Sequence, residues 1–192
     1  MVFAAVTMVV ILSACGKKPQ VEIDAANVAF EAAKTAEAAA YVPAEFAAVQ
    51  DSMNIIMAEI ATQNSKLFKK FGPVKIKLEA LSVQATQVAA NAVSKKAEVK
   101  IKVETLMTEI ETVIADNKTL MTKAPRGKEG AAVLAQIKTE MATIEGAVAE
   151  AKGLYDKGLF MDALNKVKSG KERADSINAE LKEAIAKVKA RR

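Results

Sequence analysis

Apolar and polar residues follow a helical period along most of the chain, and residues 78–120 show it most clearly. Apolar residues recur there at alternating spacings of three and four: Leu78, Ala85, Ala89, Ala92, Val99, Val103, Leu106, Ile110, Val113 and Leu120. This spacing is typical of a helix that packs in the manner of a coiled coil. It predicts one long helix over about 74–122, which would extend roughly 70 Å if unbroken.

Three polar residues interrupt this apolar seam, namely Ser82, Lys96 and Asn117. Two interpretations of Asn117 are open: it sets the register of packing across the seam, or it marks a solvated break near the end of the helix. Residues 74–77 and 99–102 alternate with the period of a strand. Because no turn residues bound the second of these segments, we predict helix for both.

Proline and glycine delimit further helices on both sides of the long one. The predicted boundaries are an N-cap at Asp24, a corner at Tyr41-Val42-Pro43, an end near Lys70, a loop at 124–130, an end near Lys152 and a start near Phe160. Two hairpins, over about 24–70 and 128–190, would thus be joined by the long helix. The predicted fold within 24–192 is all-α, an elongated antiparallel helical bundle of four to five helices with coiled-coil-like packing.

Both hairpin corners carry a pair of aromatic residues. Tyr41 and Phe46 flank the first corner, and Tyr155 and Phe160 flank the last. The spacing within the two pairs is the same, because Tyr155 follows Tyr41 by as many positions as Phe160 follows Phe46. Two explanations are open. Aromatic side chains close the end of any helix pair, or the hairpins descend from one duplicated unit.

Composition narrows the chemistry that the chain can perform. Hydrophobic residues make up 51% and include many alanines, whereas aromatic residues make up only 4%, which suits helix seams better than a compact globular core. There is no His and a single Cys, so zinc or copper sites of the usual kind and His-activated nucleophiles are excluded. No phosphate-binding loop is found. We expect no enzymatic activity, no cofactor and no metal.

The N-terminus carries an uncharged apolar segment. Residues 1–15 contain no charged side chain, and the apolar run Met8-Val9-Val10-Ile11-Leu12 stops before Gly16-Lys17-Lys18-Pro19. This length suits the core of a signal peptide and is shorter than the ~20 residues that span a bilayer. The alternative is a buried first helix, which Gly16 to Pro19 would continue poorly.

Leu12-Ser13-Ala14-Cys15 resembles the lipobox of bacterial lipoproteins at all four positions. The resemblance implies that residues 1–14 are a signal peptide, that a peptidase recognises Leu12, Ser13 and Ala14, and that Cys15 is acylated. Residues 15–23 would form the lipidated tether. Two or three acyl chains such as palmitate anchor a protein stably in a membrane. Gly16 after the cysteine implies the periplasmic face of the outer membrane.

The first hairpin resembles a second group of proteins. An alanine-rich helix, then Tyr-x-Pro-x-Glu-Phe at residues 41–46, then another alanine-spaced helix is similar to an uncharacterised domain of bacterial envelope lipoproteins. The similarity covers about residues 24–65. It implies no catalytic or binding residues.

The formal net charge is +5, and cations concentrate at the C-terminus in Lys187, Lys189, Arg191 and Arg192. Two explanations are open: the cations complement the dipole of the last helix, or they contact anionic envelope material such as peptidoglycan. The chain lacks the basic face with interleaved aromatics that nucleic-acid binding requires, so no nucleic acid is expected.

Taken together, these features predict a lipid-anchored protein of the cell envelope with a structural or scaffold role. The membrane, through the acyl chains on Cys15, and an envelope protein are its expected partners. Homo-oligomerisation is left open, since the seam can pair within one chain or between two. The alternative is a periplasmic carrier that binds a lipid or another apolar ligand inside the bundle.

Overall fold

The structure is a computed structural model that describes residues 17–190. Within these residues the chain is all-α, as predicted, and contains no strand. The helices are α1 Gln20–Thr35, α2 Ala38–Tyr41, α3 Pro43–Asn64, α4 Gly72–Lys123, α5 Lys128–Asp156 and α6 Phe160–Ala190. The described residues form two compact units, unit 1 up to residue 95 and unit 2 from residue 96, and α4 contributes to both.

Unit 1 consists of α1, α2, α3 and the first part of α4. An ion pair of 2.7 Å joins Glu22 to Lys75, so α1 begins beside the start of α4. Asn91 donates a 2.7 Å hydrogen bond to Glu45, so the start of α3 lies further along α4 and the two helices run antiparallel. The buried positions of α1 and α3 recur every three or four residues: Ile23, Ala26, Ala29, Ala33, Val49, Met53, Ile56 and Ile60.

Unit 2 consists of the second part of α4, α5 and α6 around one apolar core. This core includes Ile110, Ile114, Ile137, Met141, Ile144, Val167, Ala174, Ile177 and Leu181. Gly170 of α6 faces the side chain of Ile110 so closely that a Cβ atom would lie 3.1 Å from its Cδ1 atom. Small residues at such positions let the helix backbones approach each other.

The predicted seam of α4 is correct in part. Its helical course is confirmed through both strand-like segments, 74–77 and 99–102, and most seam residues are buried. However, Leu81 and Val88 are buried where the spacing predicted Ser82 and Ala89. Leu and Val remove more apolar area from water than Ser and Ala, and a small rotation of the helix brings them inward.

The first helix begins earlier than predicted, which shortens the expected tether. It starts at Gln20 after Pro19, not at Asp24. Proline fits this position because its missing N–H would find no partner in the first turn. Asp24 lies one turn inside the helix, where it accepts a 2.9 Å hydrogen bond from the Gln20 amide.

The first corner contains the short helix α2. It brings the number of helices within residues 17–190 to six, whereas four to five were predicted. The chain leaves the helical conformation at Glu37, which adopts a left-handed backbone with φ of 59°, and α2 then adds a single turn up to Tyr41. Left-handed backbone ends a helix but is uncommon for residues other than glycine. Tyr41 itself is buried, with 6% of its surface exposed.

Three other boundaries move, among them the end of α5, which lies at Asp156 and not near Lys152. Helix α3 ends at Asn64 and not near Lys70, because residues 65–70 cross to the start of α4 and bury no side chain. The loop predicted at 124–130 ends at Gly127. Gly130 lies inside α5, where a Cβ atom would collide with the carbonyl oxygen of Pro125. Only glycine permits this close approach.

Candidate functional site

Several of the residues predicted to be functional lie outside the part of the chain that the structure describes. These are Leu12, Ser13, Ala14, Cys15, Arg191 and Arg192. Among residues 17–190, no cluster of three His, Cys, Asp or Glu side chains is arranged to hold a metal ion. No helix in this same range is long and apolar enough to cross a membrane.

The C-terminal lysines lie on the last turns of α6 and are exposed. Lys187 forms a 2.6 Å ion pair with Glu183 one turn earlier. Its hydrogen bond holds the pKa of Glu183 below the usual range for a glutamate. Exposed pairs of this kind contribute little stability. Lys189 is on the same exposed end of the helix, where cations also interact favourably with the helix dipole.

Asn117 is fully buried in unit 2 and is satisfied by partners from α6. Its amide nitrogen donates a 2.8 Å hydrogen bond to the carbonyl oxygen of Ala174. Its side-chain oxygen accepts a 2.8 Å hydrogen bond from Asn178. The geometry therefore favours the first interpretation of Asn117, in which a buried polar residue sets the register between two helices.

The two corners use their aromatic residues differently. In unit 1, Phe46 stacks on Phe30 with ring centroids 5.3 Å apart and planes 3° apart. In unit 2, Tyr155 and Phe160 contact each other across the corner, with centroids 5.2 Å apart and planes tilted by 54°. The corners thus agree in sequence position but not in packing.

Tyr155 is also held by a carboxylate. Its hydroxyl donates a hydrogen bond to Glu104 of α4. This hydrogen bond is the main reason that the pKa of Tyr155 is raised to about 12, with desolvation and the negative charge of Glu104 as further causes. Ionisation would remove the donated proton and place two anions side by side.

We expect Glu104→Gln to lower the pKa of Tyr155 towards the ordinary value of about 10. A raised folded-state pKa stabilises the fold below the unfolded value, and this contribution is lost as the pH rises through about 12. Ultraviolet titration in a Tyr41→Phe background measures the change, because Tyr155 is then the single phenol. An unchanged titration curve would show that the hydrogen bond does not exist in solution.

Unit 2 carries an open groove of about 780 Å³ between α4 and α5. Its apolar lining comes from Met121, Leu134, Met141 and the alanines at 131, 135 and 142. The cations of Lys118, Arg126 and Lys138 border it. Lys118 is neutralised by a 2.6 Å ion pair with Glu145, which also lines the groove.

Unit 1 carries a different exposed feature, the segment between α3 and α4. We call residues 65–70 the basic loop, because Lys66, Lys69 and Lys70 surround Leu67 and Phe68. Leu67 is 97% exposed and Phe68 is 85% exposed. These two side chains are adjacent and form one exposed apolar patch, and large contiguous patches of this kind mark interaction sites.

Sequence reasoning missed both surfaces. No sequence motif marks the groove, since its lining residues come from two helices and the loop between them. The basic loop has a linear signature, the apolar pair Leu67-Phe68 framed by lysines, but the sequence pattern predicts this segment as the end of a helix. The chain matches no protein family model, no curated protein sequence and no solved structure.

Proposed function

We propose that this protein is a lipid-anchored component of the bacterial cell envelope with a structural or scaffold role. One observation carries the proposal: the Leu-Ser-Ala-Cys motif at residues 12–15 ends an apolar run of signal-peptide length. A single cysteine in the whole chain suits a site of acylation, since it has no partner for an internal disulfide. The acyl chains on Cys15 insert into the periplasmic face of the outer membrane.

The surface of unit 1 supports a scaffold role. Val21 and Val28 on α1 are 77% and 71% exposed, and Ile76 and Val83 on α4 are 67% and 72% exposed. Each pair is spaced by seven residues and therefore lies on one face of its helix, turned away from the buried positions. Apolar faces with this period are the kind of surface that binds a partner helix.

We expect Cys15→Ser to abolish acylation of the chain. The intact mass of the protein from its native membrane fraction should equal residues 15–192 plus a diacylglyceryl group on the thiol, with or without a third acyl chain on the amine. The variant should keep residues 1–14 and carry no acyl mass. As a control, Ser13→Ala keeps a small residue in the motif and should leave acylation intact. An unmodified full-length mass in the parent protein would overturn the proposal.

Photo-crosslinking tests the scaffold role separately. A photoreactive residue at Val28 or Val83 should capture an envelope protein in intact cells, because these side chains are exposed on apolar faces. Thr112, which is exposed on a polar face of α4, is the matched control and should capture much less. If neither apolar face captures a protein, the role as a scaffold is wrong even where the anchor is correct.

A second candidate function, a carrier for an apolar ligand, is favoured by the groove in unit 2. An acyl chain would lie on Met121, Leu134 and Met141, and an anionic head group would face Arg126 and Lys138. Ligand sites in proteins have volumes of about 300–1,000 Å³, which includes this groove.

We expect Ala135→Leu to block this groove. The substitution adds three carbon atoms to the lining, so binding of a monoacyl anionic lipid such as oleate should weaken at least about tenfold. Ala132→Leu is the control, because Ala132 is exposed on the same helix and does not line the groove. Native mass spectrometry with added oleate, with each substitution made in the Cys15→Ser protein, measures oleate binding by the two variants. Equal binding by the two variants would exclude the groove as the site.

A further inference from the structure

The basic loop combines two properties that a water-exposed loop does not need. Leu67 and Phe68 are adjacent and almost fully exposed, so the loop presents a bare apolar tip. The side chains of Lys66, Lys69 and Lys70 are exposed around it, and within residues 17–190 none of them forms an ion pair. By contrast, Lys75 and Lys77, which follow in α4, are paired with Glu22 and Glu59.

Apolar side chains framed by unpaired cations match the chemistry of an anionic bilayer surface. Leucine and phenylalanine gain free energy on leaving water for the acyl boundary, and lysines are attracted to the lipid phosphates beside them. A protein partner with an acidic rim would offer the charge but would need a pocket for two adjacent side chains on a loop tip.

The position of the loop in unit 1 favours the membrane. Residues 65–70 lead directly into the start of α4 at Gly72. The ion pair between Glu22 and Lys75 places the start of α1 at this same end of unit 1. Exposed Lys17 and Lys18 precede α1, and Cys15 comes two residues before Lys17. The basic loop and the start of α1, which follows Cys15 by five residues in the sequence, therefore belong to one end of unit 1.

We propose that the basic loop is a second membrane contact: Leu67 and Phe68 insert into an anionic lipid surface next to the acylated Cys15, and Lys66, Lys69 and Lys70 bind the phosphates. The orientation in this proposal rests on the proposed lipid anchor. The apolar tip and its lysines bind lipid without it. One anchored point leaves a domain free to rotate, whereas a second contact holds unit 1 with this end against the bilayer.

In the variant Phe68→Trp, the fluorescence of the introduced tryptophan reports on the surroundings of the basic loop, because the natural chain contains no tryptophan. The full chain is reconstituted in vesicles of phosphatidylcholine and phosphatidylglycerol that carry brominated acyl chains. We expect the tryptophan emission to be quenched by bromine and shifted to the blue. Val93→Trp is the matched control, since Val93 is 60% exposed on α4 and lies about 30 Å along that helix from Gly72. It should show neither effect.

The intact mass of the same sample separates failure of the loop from failure of the anchor. An acylated chain whose Trp emission is not quenched would overturn the loop contact and leave the anchor standing. A chain without acyl mass would overturn the proposed anchor, while quenching after addition of vesicles would still support the loop. Emission that shifts to the blue only in native membranes, and not in pure lipid, would indicate a protein partner and also overturn the proposal.

Vesicle partitioning of the full-length Cys15→Ser chain measures the strength of the contact. Leu67→Ser with Phe68→Ser should lower partitioning at least about tenfold. The triple change Lys66→Gln, Lys69→Gln and Lys70→Gln should lower it about fivefold per lysine on anionic vesicles, with little effect on pure phosphatidylcholine. The charge-matched control replaces Lys152, Lys157 and Lys168, exposed lysines of unit 2, by Gln. Equal losses in the two triple variants would overturn a specific role of the loop.

Discussion

Asn117→Asp should destabilise unit 2 by about 3–5 kcal/mol at neutral pH, the cost of leaving a charge buried without a partner. Asn117 is fully buried, and its amide nitrogen donates to the Ala174 carbonyl oxygen. The substitution replaces this donor by a carboxylate oxygen that repels the carbonyl. Asn178 can still donate to one oxygen but cannot offset the loss of solvation.

The penalty should depend on pH in a definite direction. Burial raises the folded-state pKa of the introduced carboxyl above its unfolded value of about 4. The loss of stability is therefore large at neutral pH and shrinks as the pH falls towards the unfolded pKa, where both states are protonated. A protonated carboxyl can again donate to Ala174, so the variant should approach the parent in acid.

Urea denaturation at several pH values, followed by circular dichroism, tests this expectation. Hydrogen exchange of peptides from α5 and α6 shows whether the loss is confined to unit 2. Asn165→Asp is the control, because the same chemical change is made at an exposed position of α6. Its effect should be below about 0.5 kcal/mol. If the two variants are equally stable at neutral pH, Asn117 is solvated and does not set the register.

Leu78→Ala should destabilise unit 1 by about 2–5 kcal/mol. The Leu78 side chain has no exposed surface and lies at the centre of the buried face of α4. Truncation removes apolar burial and leaves a cavity that rigid helix backbones cannot close. Since domains of this size are stable by only about 5–15 kcal/mol, the change should be visible as a lower urea midpoint.

Leu67→Ala is the matched control for this experiment. It makes the same truncation in the same unit, but Leu67 is 97% exposed and contributes no burial in solution. Its urea midpoint should equal that of the parent protein. Equal loss in both variants would mean that the basic loop is folded against unit 1, which would also contradict its proposed role at the membrane.

The periodicity of the chain was sufficient to predict its longer helices, though not the single turn of α2. Residues 74–77 and 99–102 alternate like strands, yet the surrounding three- and four-residue spacing predicted helix there, and the prediction is confirmed. Corners at Pro43 and near Phe160 were also predicted correctly. These features are local, because helix formation and its interruption by proline or glycine depend on neighbouring residues.

The boundaries with the largest errors were those where helix ends are decided by packing. The first helix begins at Gln20, directly after Pro19, and buries Ile23 in its first turn, whereas the sequence alone placed the start at Asp24. Helix α3 ends at Asn64 because the residues after it bury nothing. A terminal turn without buried side chains gains too little to remain helical, whatever its propensity.

By itself, the sequence determined the all-α class, the position of the long helix, and the motif at Cys15 on which the proposed anchor depends. Only the tertiary structure decided whether Asn117 is solvated or buried, whether α4 presents Leu81 or Ser82 to the core, and where alanines leave an open groove. It also decided that Leu67 and Phe68 face water. These outcomes depend on which residues distant in the chain come into contact, and a periodic pattern constrains one helix at a time.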